Sequence, residues 1–374
     1  MRYQNVCLET IAYTLPAEIV TSAEIEARLA PLYERLRLPE GRLELMTGIR
    51  ERRFWEPGTL PSQRSIESAE KAIRAAGIDC SEIGALVHAS VCRDYLEPAT
   101  ACGVHHGLSL PSDCLIYDVS NACLGILNGM VQVANMIELG QIKAGIIVGT
   151  ESSRQLVETT IDWLNRDTSL TRDDVKLAVA SLTIGSGSAA VILTHRDVSR
   201  TRNYLSTASA YAYTQGHRLC HSGCDEAVAS GMQPLMRTDS ERLMRDGIST
   251  GAQAFQSFLA ETGWDVSDVD KTFCHQVGGA HRKLMLESLG LNAANDFTTF
   301  PVLGNTGSVA LPITMAMGIE QGHLQEGDRV AMLGIGSGIN VLMLGVEWQK
   351  AASQVQVRPK AALRRPKHQP SAAR

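Results

Sequence analysis

Three side chains, each placed where an apolar segment ends, have types that together could carry out nucleophilic chemistry. Cys123 lies in D-V-S-N-A-C-L-G, between a strand-like run at 114–119 and a helix-like apolar run at 124–139. A thiolate on the first turn of a buried helix is favoured by the unpaired N–H groups and the helix dipole. His275 in F-C-H-Q could move a proton, and Asn305 in G-N-T-G-S could donate hydrogen bonds from a neutral amide. We interpret the three as one candidate site for acyl chemistry, carried on separate loops.

The segments around these residues predict strand-to-helix or loop-to-helix junctions, which are places where ligands bind in α/β proteins. The helix after Cys123 is apolar on nearly every side, so we expect it at the centre of the protein. His275 follows a short strand-like run and precedes a helix pattern at 280–289 that stops at a glycine. Asn305 lies in a glycine-flanked turn before another helix, whose Pro312 suits a first-turn position.

Two segments of the same form, one in each half of the chain, indicate a duplicated fold. The segments G-S-G-S-A-A-V-I-L at 185–193 and G-I-G-S-G-I-N-V-L-M-L-G-V at 334–346 are each a glycine-rich turn that runs into an apolar strand. Strand-like and helix-like runs alternate, which is typical of an α/β fold with sheets buried between helix layers. We predict an N-terminal half at 1–198 that carries the cysteine and a C-terminal half at 199–348, related by a pseudo-twofold axis.

Composition limits the class of protein. The chain has 374 residues, 44% of them hydrophobic and 20% charged, and is long enough for two packed lobes. No apolar run reaches the ~18 residues of a membrane span, and the first residues lack an apolar signal region. We therefore expect a cytoplasmic protein with reduced cysteines. A net charge of −5 argues against nucleic acid as the main partner.

The end of the chain differs from the rest in its charge and its proline content. Residues 349–374 contain seven Lys or Arg, three prolines and no acid, which is typical of a disordered basic tail. A solvated extension is the simplest interpretation, and binding of a specific partner is the alternative.

One polar loop offers a possible metal site. His217, Cys220, His221 and Cys224 have the spacing H-x-x-C-H-x-x-C, which zinc ligands could adopt. Zinc sites usually place their ligands in two separated pairs, whereas these four lie in a single loop. We therefore expect no metal and interpret the segment as a loop over the entrance to the site.

Several motifs occur in an order that resembles the β-ketoacyl synthase III branch of the thiolase-like condensing enzymes. They are T-G-I-R-E-R-R at 47–53, D-V-S-N-A-C-L-G, C-H-Q-V-G-G-A-H-R, G-N-T-G-S-V-A-L-P and G-I-G-S-G. Within that branch, S-V-C-R-D-Y-L-E-P-A-T-A at 90–101 is similar to enzymes that join two fatty acyl-CoA molecules head to head for long-chain olefin synthesis. The resemblance covers 1–348 and implies the duplicated, layered αβαβα fold of the thiolases.

The resemblance also implies a role for each candidate residue. Cys123 would be the acyl-accepting nucleophile, with the backbone N–H groups of Cys123 and Gly338 as its oxyanion hole. His275 and Asn305 would form a second oxyanion hole for the other substrate. Glu97 would be a base that crosses a homodimer interface into the partner's site. No cofactor is implied, since the substrates are thioesters of CoA or of an acyl carrier protein.

Glu97 distinguishes between two reactions. Decarboxylation of a malonyl group produces a carbanion without a base, whereas two plain acyl thioesters condense only if a weakly acidic α-proton is removed. The alternative for Glu97 is a solvated side chain in an exposed loop. With Glu97 as the base, a non-decarboxylative Claisen condensation would give a 2-alkyl-3-ketoacyl product for downstream pathway enzymes.

Arginines near T-G-I are candidates for contacts with CoA phosphates. Typical synthases III have a Trp and an Arg before this motif that hold the adenine, but Arg42 and Met46 stand at the equivalent positions here. Arg50, Arg52 and Arg53 could still meet phosphates, and solvated or salt-bridged arginines are an equally good interpretation.

Three alternatives to this condensation remain open at the level of sequence. The first is a decarboxylative synthase that uses a malonyl extender. The second is an acyltransferase or thioesterase that passes the acyl group from Cys123 to an alcohol or to water. The third is a non-catalytic partner subunit, although a scaffold has no physical need for the Cys123, His275 and Asn305 set.

Overall fold

The computed structural model describes residues 1–223 and 235–352. Cys224 and residues 353–374 lie outside these ranges, so the fourth possible zinc ligand and most of the expected basic tail stay predictions. Among the described residues, no helix combines the length and the apolar character that a membrane span requires.

The two described ranges form thirteen strands and twelve α-helices. The strands are β1 (Val6–Thr14), β2 (Glu18–Thr21), β3 (Glu51–Phe54), β4 (Ile83–Ala89), β5 (Leu115–Val119), β6 (Ala144–Glu151), β7 (Gly187–His195), β8 (Tyr204–Ala212), β9 (Cys220–His221), β10 (Arg237–Thr238), β11 (Lys271–Cys274), β12 (Arg329–Gly336) and β13 (Asn340–Glu347). The helices are α1 (Ser22–Arg28), α2 (Ala30–Leu36), α3 (Arg42–Thr47), α4 (Pro61–Ala76), α5 (Thr100–Leu108), α6 (Gly125–Glu138), α7 (Arg154–Arg166), α8 (Arg172–Ala178), α9 (Ser240–Thr262), α10 (Gly279–Leu289), α11 (Phe300–Leu303) and α12 (Ala310–Glu320).

One sheet joins both halves, with the strand order β11-β12-β13-β8-β1-β7-β6-β4-β5. Outward from the central pair of β8 and β1, the order β8-β13-β12-β11 on one side mirrors β1-β7-β6-β4 on the other. In each half the first two neighbouring pairs are antiparallel and the outermost pair is parallel. This repeat agrees with the predicted duplication. The predicted boundary at residue 198 falls between β7 and β8, and it stays a prediction.

The helices form three layers around the strands. Helix α6 contacts β4, β6 and β7 of its own half and β13 of the other half, and α12 contacts β11, β1 and β7. These two helices are therefore the central layer. Helices α4 and α5 cover the outer face of the first half, and α9, with α10 packed on it, covers the outer face of the second. The predicted layered αβαβα fold is confirmed, although its strands are joined in one sheet by the Cys7 and Tyr204 pair.

Burial on both faces explains why the strands are continuous apolar runs. In β7, Ala189, Val191 and Leu193 pack in the central core with α6 and α12. Their neighbours Ala190 and Ile192 point the other way and pack against α4 and α5. The sheet is thus fixed on both sides, which holds the strand ends that carry the candidate site.

A smaller cluster of helices covers one side of the layers. Helices α1, α2, α3, α7 and α8 share an apolar core with Phe54 of the β2–β3 hairpin. The T-G-I-R-E-R-R motif runs through this cluster, from the end of α3 into β3. The burial of each arginine is therefore determined by the packing of this cluster.

Candidate active site

Cys123 lies in the tight connection between β5 and α6, two residues before the helix begins. The preceding Ala122 has a φ of 45°, a left-handed conformation that is uncommon for non-glycine residues, so the chain turns sharply at the cysteine. Burial raises the pKa of the Cys123 thiol to about 12, and the charge of Glu151 adds to this effect. The expectation of a favoured thiolate is therefore wrong for the free site, because burial outweighs the helix N-terminus.

The turn between β12 and β13 approaches the cysteine closely. A Cβ atom on Gly336 would lie 3.5 Å from the backbone nitrogen of Cys123. Gly338, in the same turn, has a φ of 139°, which favours glycine. Within the described ranges, no carbonyl accepts a hydrogen bond from the Gly338 N–H. This N–H is thus available, and its role in an oxyanion hole with the Cys123 N–H stays a prediction.

A chain of side-chain amides fixes this turn against the cysteine loop. Asn340 Nδ2 donates to Ser337 O at 3.3 Å and to Asn121 Oδ1 at 3.2 Å. Asn121 Nδ2 in turn donates to Asn128 Oδ1 of α6 at 2.8 Å. These bonds connect the two backbone segments that would hold an oxyanion on the acyl group.

His275 lies directly after β11, and its side chain is buried, with the residue only 2% exposed. Its backbone N–H donates to Leu333 O at 2.9 Å, which continues the β11–β12 ladder. Neither ring nitrogen has a hydrogen-bond partner among the described residues. Burial lowers the pKa of His275 to about 3, with His281 as a second cause, so the ring is neutral. A buried ring with an unpaired N–H and an unpaired lone pair is suited to receive a polar substrate group.

The residue after the histidine links it to the segment that leads to Asn305. Gln276 is buried, and its Nε2 donates to Phe297 O at 2.6 Å. Its Oε1 accepts from the backbone N–H groups of Thr299 at 2.8 Å and Phe300 at 3.1 Å. One glutamine therefore holds the end of β11 against the start of α11, which precedes Asn305 by only a few residues.

Asn305 is held by its own backbone and by its side-chain oxygen. Its N–H donates to Thr183 O at 3.0 Å, and its carbonyl accepts from Gly185 N at 2.9 Å. Its Oδ1 accepts from Gly307 N at 3.0 Å. Because the oxygen is engaged in the turn, the amide NH₂ faces away from it, and no described residue accepts a hydrogen bond from that NH₂. The NH₂ group is therefore available as a neutral donor, and its predicted role in an oxyanion hole stays a prediction.

Glu97 lies in the loop between β4 and α5, and its side chain is exposed in the single chain. Val91, Tyr95 and Leu96 of the same loop are also exposed. The single chain therefore does not bury Glu97 with His275, and its role as a base stays a prediction.

The three arginines have different environments, and one prediction among them is wrong. Arg52 is 0% exposed, because the alternation of β3 turns it inward with Phe54. It donates from Nη1 to Ser22 Oγ at 3.0 Å and from Nη2 to Leu182 O at 3.0 Å. Burial lowers its pKa to about 10. Arg52 therefore supports the backbone near the Asn305 turn and cannot meet a phosphate in solvent.

The other two arginines also differ from each other. Arg53 is half-buried and donates from Nη1 to Pro16 O at 2.9 Å. Arg50 is exposed and lies 3.7 Å from a carboxylate oxygen of Glu51. Of the three, Arg50 is the one whose side chain is exposed to solvent, and its contact with a phosphate stays a prediction.

The polar loop packs against the turn between β12 and β13, since a Cβ atom on Gly216 would lie 3.0 Å from Cγ1 of Ile339. Its place over the entrance to the site stays a prediction. The charge of Cys220, in β9, contributes to the raised pKa of Cys123, after burial and Glu151. His217 Nδ1 lies 3.0 Å from Thr214 O, within its own turn. Residues 1–223 and 235–352 contain no group of three or more His, Cys, Asp or Glu side chains placed to hold a metal ion. Cys224 lies outside those ranges.

One residue of the site was missed by the sequence reasoning. Glu151 ends β6, is only 5% exposed, and its charge raises the pKa of both Cys123 and Cys92. Its carboxylate accepts a hydrogen bond from Ser308 Oγ at 2.5 Å. The signal for it is an acid directly after the apolar run A-G-I-I-V-G-T, at the carboxyl end of a parallel strand.

Comparisons with known proteins identify the family to which the chain belongs. The chain matches the sequence model of 3-oxoacyl-(acyl-carrier-protein) synthase III over residues 117–210 and that of its C-terminal part over 259–348. It is 45% identical over 351 residues to an acyl-CoA:acyl-CoA alkyltransferase of Shewanella oneidensis, covering 93% of this chain and 100% of that protein. It is 33% identical over 348 residues to the protein of the same name from Xanthomonas campestris, again covering 93% and 100%.

A solved structure shows similarity to the same group of enzymes. Xanthomonas campestris OleA, crystallised with lauric acid and lauroyl-CoA, superposes with a TM-score of 0.87 at 32% identity, over 92% of this chain and 100% of that one. Full-length similarity at this identity shows common family membership as well as a common fold. The chain therefore belongs to the OleA acyl-CoA:acyl-CoA alkyltransferases, within the thiolase-like 3-oxoacyl-(acyl-carrier-protein) synthase III family.

Proposed function

We propose that this chain catalyses the non-decarboxylative Claisen condensation of two long-chain acyl-CoA molecules, through an acyl-cysteine, to a 2-alkyl-3-ketoacyl product. The observation that carries the proposal is the 45% identity to an acyl-CoA:acyl-CoA alkyltransferase along 93% of the chain. The proposal is supported by the buried His275 ring, whose nitrogens have no hydrogen-bond partner among the described residues, and by the Asn305 side chain, whose oxygen is held by Gly307 N. The expected place of this reaction is the cytoplasm.

The first step is acylation of Cys123. The pKa of about 12 means that the free thiol is protonated at neutral pH, so the proton must leave as the sulfur attacks the thioester carbonyl. The tetrahedral oxyanion is stabilised by the N–H groups of Cys123 and Gly338. When the intermediate collapses, the bond to the CoA sulfur breaks and CoA leaves as its thiol, having gained one proton.

The second step is condensation with another acyl-CoA. Loss of an α-proton turns the second thioester into an enolate, whose oxygen accepts hydrogen bonds from the neutral His275 ring and from Asn305 Nδ2. The depressed pKa of His275 suits this role, because a neutral ring keeps one N–H donor without delivering its proton to the enolate. The enolate carbon attacks the acyl-Cys123 carbonyl, a C–C bond forms and the C–S bond to Cys123 breaks. The sulfur then regains, as a thiol, the proton that the base removed from the α-carbon.

The base for this step is Glu97 of a second copy of the chain. Within the described sheet, β5 is an edge strand, and its Leu115 is 51% exposed. The nearby loop exposes Val91 at 51% and Tyr95 at 58%. Apolar groups around an unpaired strand edge favour pairing with another chain, and a homodimer formed there would carry Glu97 into its partner.

The test is to incubate the pure protein with one acyl-CoA alone and to identify the products by mass. The wild type should give a C–C-bonded keto acid derivative, and Glu97→Ala should acylate Cys123 without condensing. An ester or a free acid as the sole product would instead identify an acyltransferase or a thioesterase. Normal condensation by Glu97→Ala would contradict the non-decarboxylative assignment.

A decarboxylative synthase is the second candidate. It is favoured by the match to 3-oxoacyl-(acyl-carrier-protein) synthase III and by 25% identity over 337 residues to such an enzyme from Sphingopyxis alaskensis. Release of carbon dioxide with a malonyl thioester, together with no product from two acyl-CoAs, would establish it. The same experiment with acyl-carrier-protein thioesters identifies the carrier that the enzyme uses.

A further inference from the structure

Glu151 is a buried carboxylate without a cationic partner in the described part of the chain. It lies at the end of β6, only 5% exposed, and none of the ion pairs formed by the described residues includes it. A buried charge is costly unless hydrogen bonds compensate for the lost water. The groups that compensate for it come from the two loops that carry Glu97 and Asn305.

The first set of donors belongs to the Glu97 loop. Oε1 accepts from Val91 N at 3.1 Å, and Oε2 accepts from Cys92 N at 3.4 Å. These N–H groups lie at the start of the loop that leaves β4. The carboxylate therefore fixes the point from which this loop extends towards Glu97.

The second set belongs to the Asn305 turn. Ser308 donates to Oε1 through its hydroxyl at 2.5 Å and through its backbone N–H at 3.4 Å. A Cβ atom on Gly307 would lie 3.2 Å from Cγ of Glu151, so the turn rests directly on this side chain. Gly307 is also the residue whose N–H holds Asn305 Oδ1.

Hydrogen-bond geometry distinguishes a carboxylate from an amide at this position. Both oxygens accept from N–H groups, so a glutamine would have to turn its NH₂ towards at least one N–H donor and leave that donor unsatisfied. The two loops that this carboxylate holds carry the proposed base and the proposed enolate donor, and both of those groups act in the second step.

We infer that Glu151 is a positioning residue for the condensation step, whose carboxylate holds the Glu97 loop and the Asn305 turn in one fixed relation. This inference rests on the proposed function. In the dimer, the Glu97 loop held by this carboxylate serves the partner's site, whereas the Asn305 turn serves the site of its own chain. Each site therefore depends on one Glu151 through its enolate donor and on the partner's Glu151 through its base, and misplacement of either group slows condensation.

The test separates the two steps in Glu151→Gln. Acylation is measured as the amount of acyl group bound to Cys123 in a single turnover, and condensation as the rate of product formation. We expect acylation to stay within about twofold and condensation to fall on the order of 10- to 100-fold, the size of a misplacement effect. Ser308→Ala removes the shortest hydrogen bond to the carboxylate. It should also lower the ratio of condensation to acylation, by a smaller factor than Glu151→Gln does.

Glu138→Gln is the matched control. Glu138, near the end of α6, also holds backbone N–H groups, with Oε2 at 3.0 Å from Gln4 N and 2.9 Å from Asn5 N. Its loss should leave the ratio of condensation to acylation unchanged. Melting temperatures of all variants show whether each is folded, and Ser308→Ala provides the test if Glu151→Gln does not fold.

A further measurement detects the effect of the Glu151 charge on the Cys123 thiol. Alkylation of Cys123 by iodoacetamide should move to lower pH in Glu151→Gln, because the negative charge that raises the thiol pKa is gone. Equal losses of acylation and condensation, or no loss of either, would overturn the inference. Absence of any C–C-bonded product from the wild type would instead overturn the proposed function, and this inference with it.

Discussion

The proposed enolate donors and the proposed base lie in opposite environments, one held firmly inside the chain and the other exposed. His275 is 2% exposed, and Asn305 is held through both its backbone and its side-chain oxygen. Glu97, in contrast, is exposed on a loop with exposed apolar neighbours. This difference fits the proposed mechanism, in which one chain supplies the nucleophile and the enolate donors while the base comes from a second copy.

The largest expected effect comes from removing the nucleophile. Cys123→Ala should abolish both the acyl-enzyme and the condensed product, because no other group can carry the first acyl chain. The measurement is the mass of the intact protein after mixing with an acyl-CoA. Cys80→Ala, at a cysteine far from this junction, should acylate and condense at the wild-type rate. An acylated Cys123→Ala protein would show that the nucleophile is elsewhere.

A smaller and more selective effect comes from the enolate donor. Asn305→Asp keeps the oxygen that accepts from Gly307 N but replaces the NH₂ donor with a second oxygen. Condensation should fall by roughly 10²–10³-fold, with single-turnover acylation retained. Asn292→Asp is the control, since Asn292 Oδ1 likewise accepts from a backbone N–H two residues later, at 2.9 Å. Equal losses in both steps would remove the distinction between the two oxyanion sites.

The smallest effect concerns stability and pH. Burial lowers the pKa of His275 to about 3 and that of His281 to about 4. Between those values and about 6.5, the unfolded chain binds protons that the folded chain does not, so the free energy of unfolding falls as the pH falls. Each histidine should contribute a slope of about 1.4 kcal/mol per pH unit in that window.

Denaturant titrations of single variants measure this slope. His281→Gln should reduce the slope by about 1.4 kcal/mol per pH unit between pH 4 and about 6.5, because the proton that only the unfolded chain binds is lost. A wild-type slope that is the same in His281→Gln would show that this ring is protonated in the folded chain.

The segments that carry the site could be predicted because their patterns are local. The helix run at 124–139 corresponds to α6, Gly125–Glu138, and the pattern at 280–289 to α10, Gly279–Leu289. Each has an apolar run whose end is marked by glycine, and tertiary packing reinforces that signal. The motif order also predicted the family, because several separated loops had to agree.

The errors concern properties that depend on packing. The inward orientation of Arg52 follows from the pairing of β3 with β2, which places it on the buried face. The raised pKa of Cys123 follows from burial, which the sequence around the cysteine does not specify. Glu151 escaped notice because an acid after a strand is common, and only the converging donors Val91 N, Cys92 N and Ser308 Oγ distinguish it.

The most direct test of the central claim uses mixed dimers of two inactive variants. Cys123→Ala and Glu97→Ala chains, each unable to condense alone, are unfolded together, refolded and given one acyl-CoA. If Glu97 serves the partner's site, each heterodimer has one complete site, and about a quarter of all sites should condense for a random mixture of chains. Restored product at about that level is the predicted result. A mixture that forms heterodimers and stays inactive would contradict the account.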